Sequence, residues 1–187
     1  MQIDRKLHIV IPIEQEDGST IYVHSAAIDS VVFDKFYKPI AIAHGAMFAD
    51  SLGPWAAPRV ADKYLREAAK GLTTRDYDCW ADVQKGLIAE IHRLTNIAMI
   101  GEHGWEALPY DIAKKQGMFS PDTISQIEAA LVFFTLGYAM YPVKSRRAIL
   151  DSGMSLWDSH CELSSFTEFM NSLPTPTKAE STGAKAA

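Results

Sequence analysis

Asp76-Tyr-Asp-Cys-Trp-Ala-Asp-Val-Gln-Lys-Gly-Leu-Ile-Ala-Glu-Ile-His-Arg-Leu-Thr-Asn-Ile-Ala-Met99 is the stretch on which the reading of this chain turns. Trp80, Val83, Leu87, Ile91, Leu94 and Ala98 recur at steps of three and four, and Ile88 broadens the stripe. That spacing is the signature of one apolar helix face. Asp82, Lys85, Glu90 and Arg93 fall on the other face. The pattern predicts a single long helix over 76–99, followed by a glycine-bounded loop, Gly101-Glu-His-Gly-Trp105.

The chain on the C-terminal side continues in helices. Pro109 to Gln116 predicts a short helix stopped by Gly117. Ser120-Pro121-Asp122 combines a cap, a first-turn proline and a carboxylate at the positive helix end. The helix it starts, Ser120–Tyr141, carries Ile124, Ile127, Leu131, Phe134 and Tyr138 and is apolar nearly all round in its second half, so it is expected to be central. Pro142 breaks it, and another helix runs through Ile149, Leu150, Met154 and Trp157. Ser165-Phe-Thr-Glu168 has capping-box spacing ahead of Phe169 and Met170.

Upstream of Asp76, residues 1–25 read as a β-hairpin. Leu7, Ile9, Ile11 and Ile13 alternate with His8, Val10, Pro12 and Glu14, and Ile21-Tyr-Val-His24 follows an Asp17-Gly18 turn. Pro12 withholds a backbone donor, which suits an edge position. A hairpin alone is marginal in water, so this one must pack on the helices or pair with another chain. Ser30 is expected to cap a helix carrying Phe33, Phe36, Ile40, Ala43 and Met47, kinked or broken at Pro39 and ended by Gly53-Pro54-Trp55. Pro58 suits the first turn of the next helix, which Gly71 stops. The expected fold is mainly α: an N-terminal hairpin packed on about six or seven helices over 30–173, in one compact domain 1–173. From Pro174 to Ala187 there is no aromatic, Leu, Ile, Val or Met. Such a segment cannot offset the roughly 1–2 kcal/mol per residue of ordering entropy and is expected to be a flexible, disordered tail.

Composition excludes several functions. The 187 residues are 48% hydrophobic, enough for a real core, with a net charge of −5. Neither half is basic: residues 1–100 hold 11 basic and 13 acidic side chains, and 101–187 hold 7 and 10. No nucleic-acid partner is expected. Lys144, Arg146 and Arg147 read as a solvated helix face. The longest apolar run, Ala129 to Tyr141, falls short of the ~20 residues of a membrane span, so no membrane role is expected. Cys79 and Cys161 belong to no CxxC pair and read as free thiols in a reducing cytoplasm.

Catalytic signals are equally sparse. The six histidines include no HxH, HxxxH or HExxH pair, and no metal site or cofactor is expected. Asp76, Asp78 and Asp82 complement a helix N-terminus. Glu102-His103, in its glycine-flanked loop, is the most enzyme-like pairing, but no nucleophile or ligand partner accompanies it. No GxSxG, Walker A or GxGxxG motif occurs. The chain is expected not to be an enzyme. Trp55, Trp105, Phe166, Phe169 and Met170 are the candidate protein-contact residues, with packing the more economical reading of each.

Leu7-His-Ile-Val-Ile-Pro-Ile13, Ile21-Tyr-Val-His-Ser25, Leu87-Ile-Ala-Glu-Ile-His-Arg-Leu-Thr-Asn96 and Phe166-Thr-Glu-Phe-Met-Asn-Ser-Leu-Pro-Thr175 together resemble tail assembly chaperones of tailed bacteriophages and prophages. The resemblance spans most of the chain and carries no functional residue with it. It implies a non-enzymatic protein of the host bacterial cytoplasm that binds the tape-measure protein, the tail-tube protein or both during tail assembly. It also implies a tail that serves as a linker when a frameshifted longer product is made. The alternatives are a tail or connector subunit kept in the virion, which self-association through the hairpin would suit, and a small phage enzyme.

Overall fold

The computed structural model describes residues 6–15, 18–101 and 104–175, leaving the side chains of 53–55 and 156 outside the description. The fold is mixed α/β rather than mainly α. A five-stranded antiparallel sheet comprises β1 (His8–Glu14), β2 (Thr20–Ala26), β3 (Thr95–Gly101), β4 (Gly104–Pro109) and β5 (His160–Glu162), in the order β4-β3-β2-β1-β5. The helices are α1 (Ser30–Ala49), α2 (Gly53–Gly71), α3 (Cys79–Val83), α4 (Ala89–Arg93), α5 (Tyr110–Lys115), α6 (Pro121–Met140), α7 (Val143–Met154) and α8 (Phe166–Ser172).

Residues 76–99 depart from the expected single helix. Helix covers Cys79–Arg93, interrupted by a π turn at Gln84–Ile88, and the chain then becomes β3. Thr95 ends the helix: its hydroxyl donates to the Ile91 carbonyl at 2.7 Å, and its oxygen lies 2.9 Å from Ser25 Oγ. From there Asn96 pairs with His24 and Ala98 with Tyr22, while β4 continues the sheet through Ile97↔Leu108 and Ile100↔Trp105. What had the look of a loop after a helix is a hairpin. The N-terminal hairpin therefore packs on the helices and also pairs with two further strands.

The other expectations fared better. β1 and β2 pair in register from His8↔Ala26 to Glu14↔Thr20. α1 starts one residue earlier than expected, with Asp29 accepting from the Val32 N–H, and it kinks at Phe36 (φ −111°, ψ 16°). The kink lies one turn before Pro39, whose ring nitrogen cannot donate. α2 begins at Gly53, so Pro54 takes the first-turn position and Pro58 lies inside the helix. Ser120 caps α6 by accepting from the Thr123 N–H at 3.1 Å, and the Ser165–Glu168 capping box is formed. The tail expected from Pro174 onward lies outside the described residues beyond 175.

Two cores result, one on each side of the sheet. Leu7, Ile9, Ile11, Ile21, Val23 and Ile97 face the helix layer, where α6 lies buried over most of its C-terminal half. α6 is long and apolar enough to cross a membrane by length and composition alone, but over half of its span is buried inside the fold. The other face carries Val10, Ala98 and Tyr22, covered by Phe166, Phe169 and Met170 of α8. That second cover explains why β3 lacks polar alternation: both faces are shielded from water.

Candidate functional site

A wide groove follows the sheet edge at β1. β5 pairs only with His8–Val10, so Ile11, Pro12, Ile13 and Glu14 have no strand beside them on that side. All four line a groove of about 560 Å³. Side chains of successive strand residues point to opposite faces. A groove touched by four in a row must therefore run along the strand edge.

Helices supply the opposite wall. Pro58 and Arg59 of α2 and Gln126, Ile127 and Ala130 of α6 line it, and Trp157, Asp158 and Ser159 close one end. Asp158 takes a left-handed conformation (φ 54°), which turns the chain into β5 just beyond the groove. The Arg59 guanidinium sits 5.5 Å from the Trp157 ring centre. The Trp157 indole nitrogen is buried and has no hydrogen-bond partner among the described residues. Chemically the groove offers an apolar floor, one cation, exposed carboxylates at Glu14 and Asp158, and free main-chain groups. It presents recognition chemistry and no paired nucleophile and base.

A second cleft, of about 460 Å³, is lined by α2, the π turn, α4, α5 and α6. His92 bridges two carboxylates there, with Nδ1 at 3.0 Å from Asp111 and Nε2 at 3.6 Å from Glu128, and Lys114 closes on Glu128. Tyr110 stands edge-on to the His92 ring and is fully buried. Burial, with the Glu128 carboxylate nearby, pushes its pKa well above the usual phenol range. Glu128 stands outside hydrogen-bonding geometry, so the hydroxyl has no partner among the described residues. The four charges of His92, Asp111, Lys114 and Glu128 are spent on one another, while Arg66 lies over the Trp80 ring and the buried Asp62 Oδ1 has no hydrogen-bond partner among the described residues. Among the described residues no Ser, Thr or Cys lines the cleft.

Of the five candidate contact residues, four are brought together on the outer sheet face. Trp105 lies 5.7 Å from the Tyr22 ring, Phe169 meets Tyr22 edge-on at 5.5 Å, and Phe166 lies 5.4 Å from His24. Met170 packs on the same cluster. Phe169 is buried within it, and the Trp105 Nε1–H donates to the Pro174 carbonyl at 2.7 Å. These contacts clasp α8 to the sheet. The Trp55 side chain and Glu102-His103 lie outside the described residues.

Under the clasp lies a histidine cluster that the motif search passed over, because its members come from three strands. His8 and His24 stack at 4.9 Å. His24 Nε2 lies 3.1 Å from the Ser164 carbonyl and 3.6 Å from Glu162, while His160 lies 3.8 Å from the other Glu162 oxygen. Burial is the main cause that lowers the His24 pKa to about 4, and the neighbouring His8 adds to it. No group of three or more His, Cys, Asp or Glu among the described residues is arranged to hold a metal ion.

The remaining polar candidates have structural partners. Asp78 caps α3 and Asp82 accepts from the Tyr77 hydroxyl. Arg146 lies over the Tyr138 ring and Arg147 pairs with Asp151. Both cysteines are buried and free, and burial raises the Cys161 thiol. Sequence reasoning missed the groove residues Arg59, Gln126 and Trp157. The only available signal was Pro12, which marks the open edge. Compared with family models, curated proteins and solved structures, the chain matches none.

Proposed function

We propose that this chain is a non-enzymatic binding protein of the tail-assembly-chaperone kind that its sequence resembles. It holds a segment of the tape-measure or tail-tube protein in the host cytoplasm while the tail is built. One observation supports the binding role: a groove of about 560 Å³ runs along an unpaired strand edge and is lined by recognition groups. Sheet edges and amphipathic grooves are general docking sites for peptide segments. The phage context comes from the sequence resemblance alone.

The test is capture of the tagged protein from phage-infected cells, with mass spectrometry of the bound fraction and of purified virions. Recovery of tape-measure or tail-tube protein, with this chain missing from virions, is the expected result. Stoichiometric presence in virions would replace the chaperone with a structural subunit. Capture of neither protein, together with absence from virions, would overturn both.

A further inference from the structure

The hydrogen-bonding direction of the open edge follows from contacts elsewhere. In an antiparallel ladder a residue points its N–H and C=O to the same side, and successive residues alternate. Cys161, opposite Ile9, donates its N–H to Asp151 at 2.8 Å, and its carbonyl accepts from Arg147 at 3.4 Å. Both its main-chain groups are thus turned away from β1, so His8 and Val10 are the residues that bond to β5. The odd-numbered residues face β2 instead: the Leu7 carbonyl accepts from Ala27, and Gln15 donates to Ser19. By alternation Pro12 and Glu14 point their main-chain groups into the groove, where β5 has ended.

The open edge therefore offers the Pro12 carbonyl and both main-chain groups of Glu14. Pro12 itself has no N–H to give. A strand laid there would have one carbonyl opposite Pro12 without a donor. Trp157 lines the same groove, and its buried indole N–H is a donor without an acceptor among the described residues. The faces of such a strand would meet different surroundings. One side would turn toward Pro58, Ile127 and Ala130 in the helix layer, and the other would share the face of Glu14. Glu14 and Asp158 are exposed, and neither makes an ion pair among the described residues.

We propose that the open half of β1 takes up a short extended peptide as a sixth strand, with apolar side chains toward the helix layer and a Lys or Arg toward Glu14 and Asp158. The proposal deepens the binding reading above and rests on it for the identity of the client. The β4 edge is also unpaired, but no β4 residue lines this groove or the second cleft, so neither gives it the second wall that would select a sequence.

The probe is the blocked peptide Thr-Val-Lys-Val-Thr, with its Glu-for-Lys analogue as the opposite charge, titrated into the full-length protein and followed by amide NMR. The lysine peptide should shift the Glu14 amide and the Trp157 indole N–H, and bind in the millimolar range expected for so few contacts. The glutamate peptide should bind about tenfold more weakly, because attraction at two carboxylates becomes repulsion. Glu14→Lys, at an exposed strand end where folding is not at risk, leaves only Asp158 of the two carboxylates and should abolish that preference. Equal binding of the two peptides, shifts at Trp105 and Ala107 instead of Glu14, or no shift at millimolar peptide would overturn the proposal. Client capture without Glu14 shifts would sink strand addition and leave the binding reading. Glu14 shifts without a captured client would do the reverse.

Discussion

Acid should loosen the clasp that holds α8, and His24 is where the effect originates. Its ring is 1% exposed, packed between His8, Phe166 and Phe169, with Nε2 directed at the Ser164 carbonyl. The fold favours the neutral ring, whose pKa falls from 6.5 to about 4. Unfolded or unclasped chain binds the proton first. The stability from His24 is therefore complete above pH 6.5, declines as the pH falls through the interval to 4, and is gone below it. A shift of that size corresponds to about 3 kcal/mol, or roughly 6–12 °C in Tm for a chain of this length.

The neighbours modify this in both directions. His8, lowered by burial and Lys6, adds to the loss, while the Glu168 carboxylate tempers it. Glu162 works the other way: burial raises its carboxyl, so its protonation on acidification returns some stability. His160 pairs with the same carboxylate. The assay is denaturant unfolding from pH 7 to pH 4 for the native chain and for His24→Phe, which keeps a ring and cannot titrate. The native chain should lose about 3 kcal/mol more than the variant over that interval. His24→Asn gives a second uncharged reference if the phenylalanine packs poorly. Parallel pH profiles would refute the reasoning.

Three further outcomes are expected. Gly86→Ala, in the π turn, would place a Cβ 2.3 Å from Cζ of the buried Phe36, and should cost about 1–3 kcal/mol in thermal unfolding; a neutral result would show that the Phe36 ring has room to move. Ser165→Ala removes the hydroxyl that accepts from the Glu168 N–H, leaves the main-chain Ser165 N–H on the Glu168 carboxylate, and should cost about 1 kcal/mol, with faster hydrogen exchange in α8 while α6 amides are unchanged. Tyr110→Phe deletes a buried hydroxyl without a partner among the described residues, and stability should hold or rise; a loss above about 1 kcal/mol would show that Glu128 does bond to it.

Local signals in the sequence were read correctly where one residue type forces one conformation. Ser120-Pro121, Pro142, Gly71 and Ser165 punctuate helices through their own chemistry, and each marks a boundary within a residue or two. The β1–β2 hairpin was legible because its apolar residues alternate. β3 was not, since Leu94 and Ala98 extend the helical stripe by coincidence and both strand faces are buried. Thr95-Asn96-Ile97 was the available warning, a β-branched pair flanking a poor helix former. The groove had no local signature, because its walls come from 11–14, 58–59, 126–130 and 157–159. Trp105, Phe166, Phe169 and Met170 were noticed for their aromatic or sulfur bulk, and the fold uses that bulk to hold α8.

The pairing of β1 with β5 fixes an order of events during synthesis. His8 and Glu162 are about 150 residues apart, and joining them closes a loop whose entropy costs roughly 4–5 kcal/mol. At ribosomal speeds of 5–20 residues per second, β1 exists for about 8–30 s before its second neighbour has been made. Throughout that interval the whole of His8–Glu14 is an unpaired edge, not only the half left open in the finished fold. Pro12 withholds its donor during that time as well, which limits how firmly another nascent chain can pair with the strand.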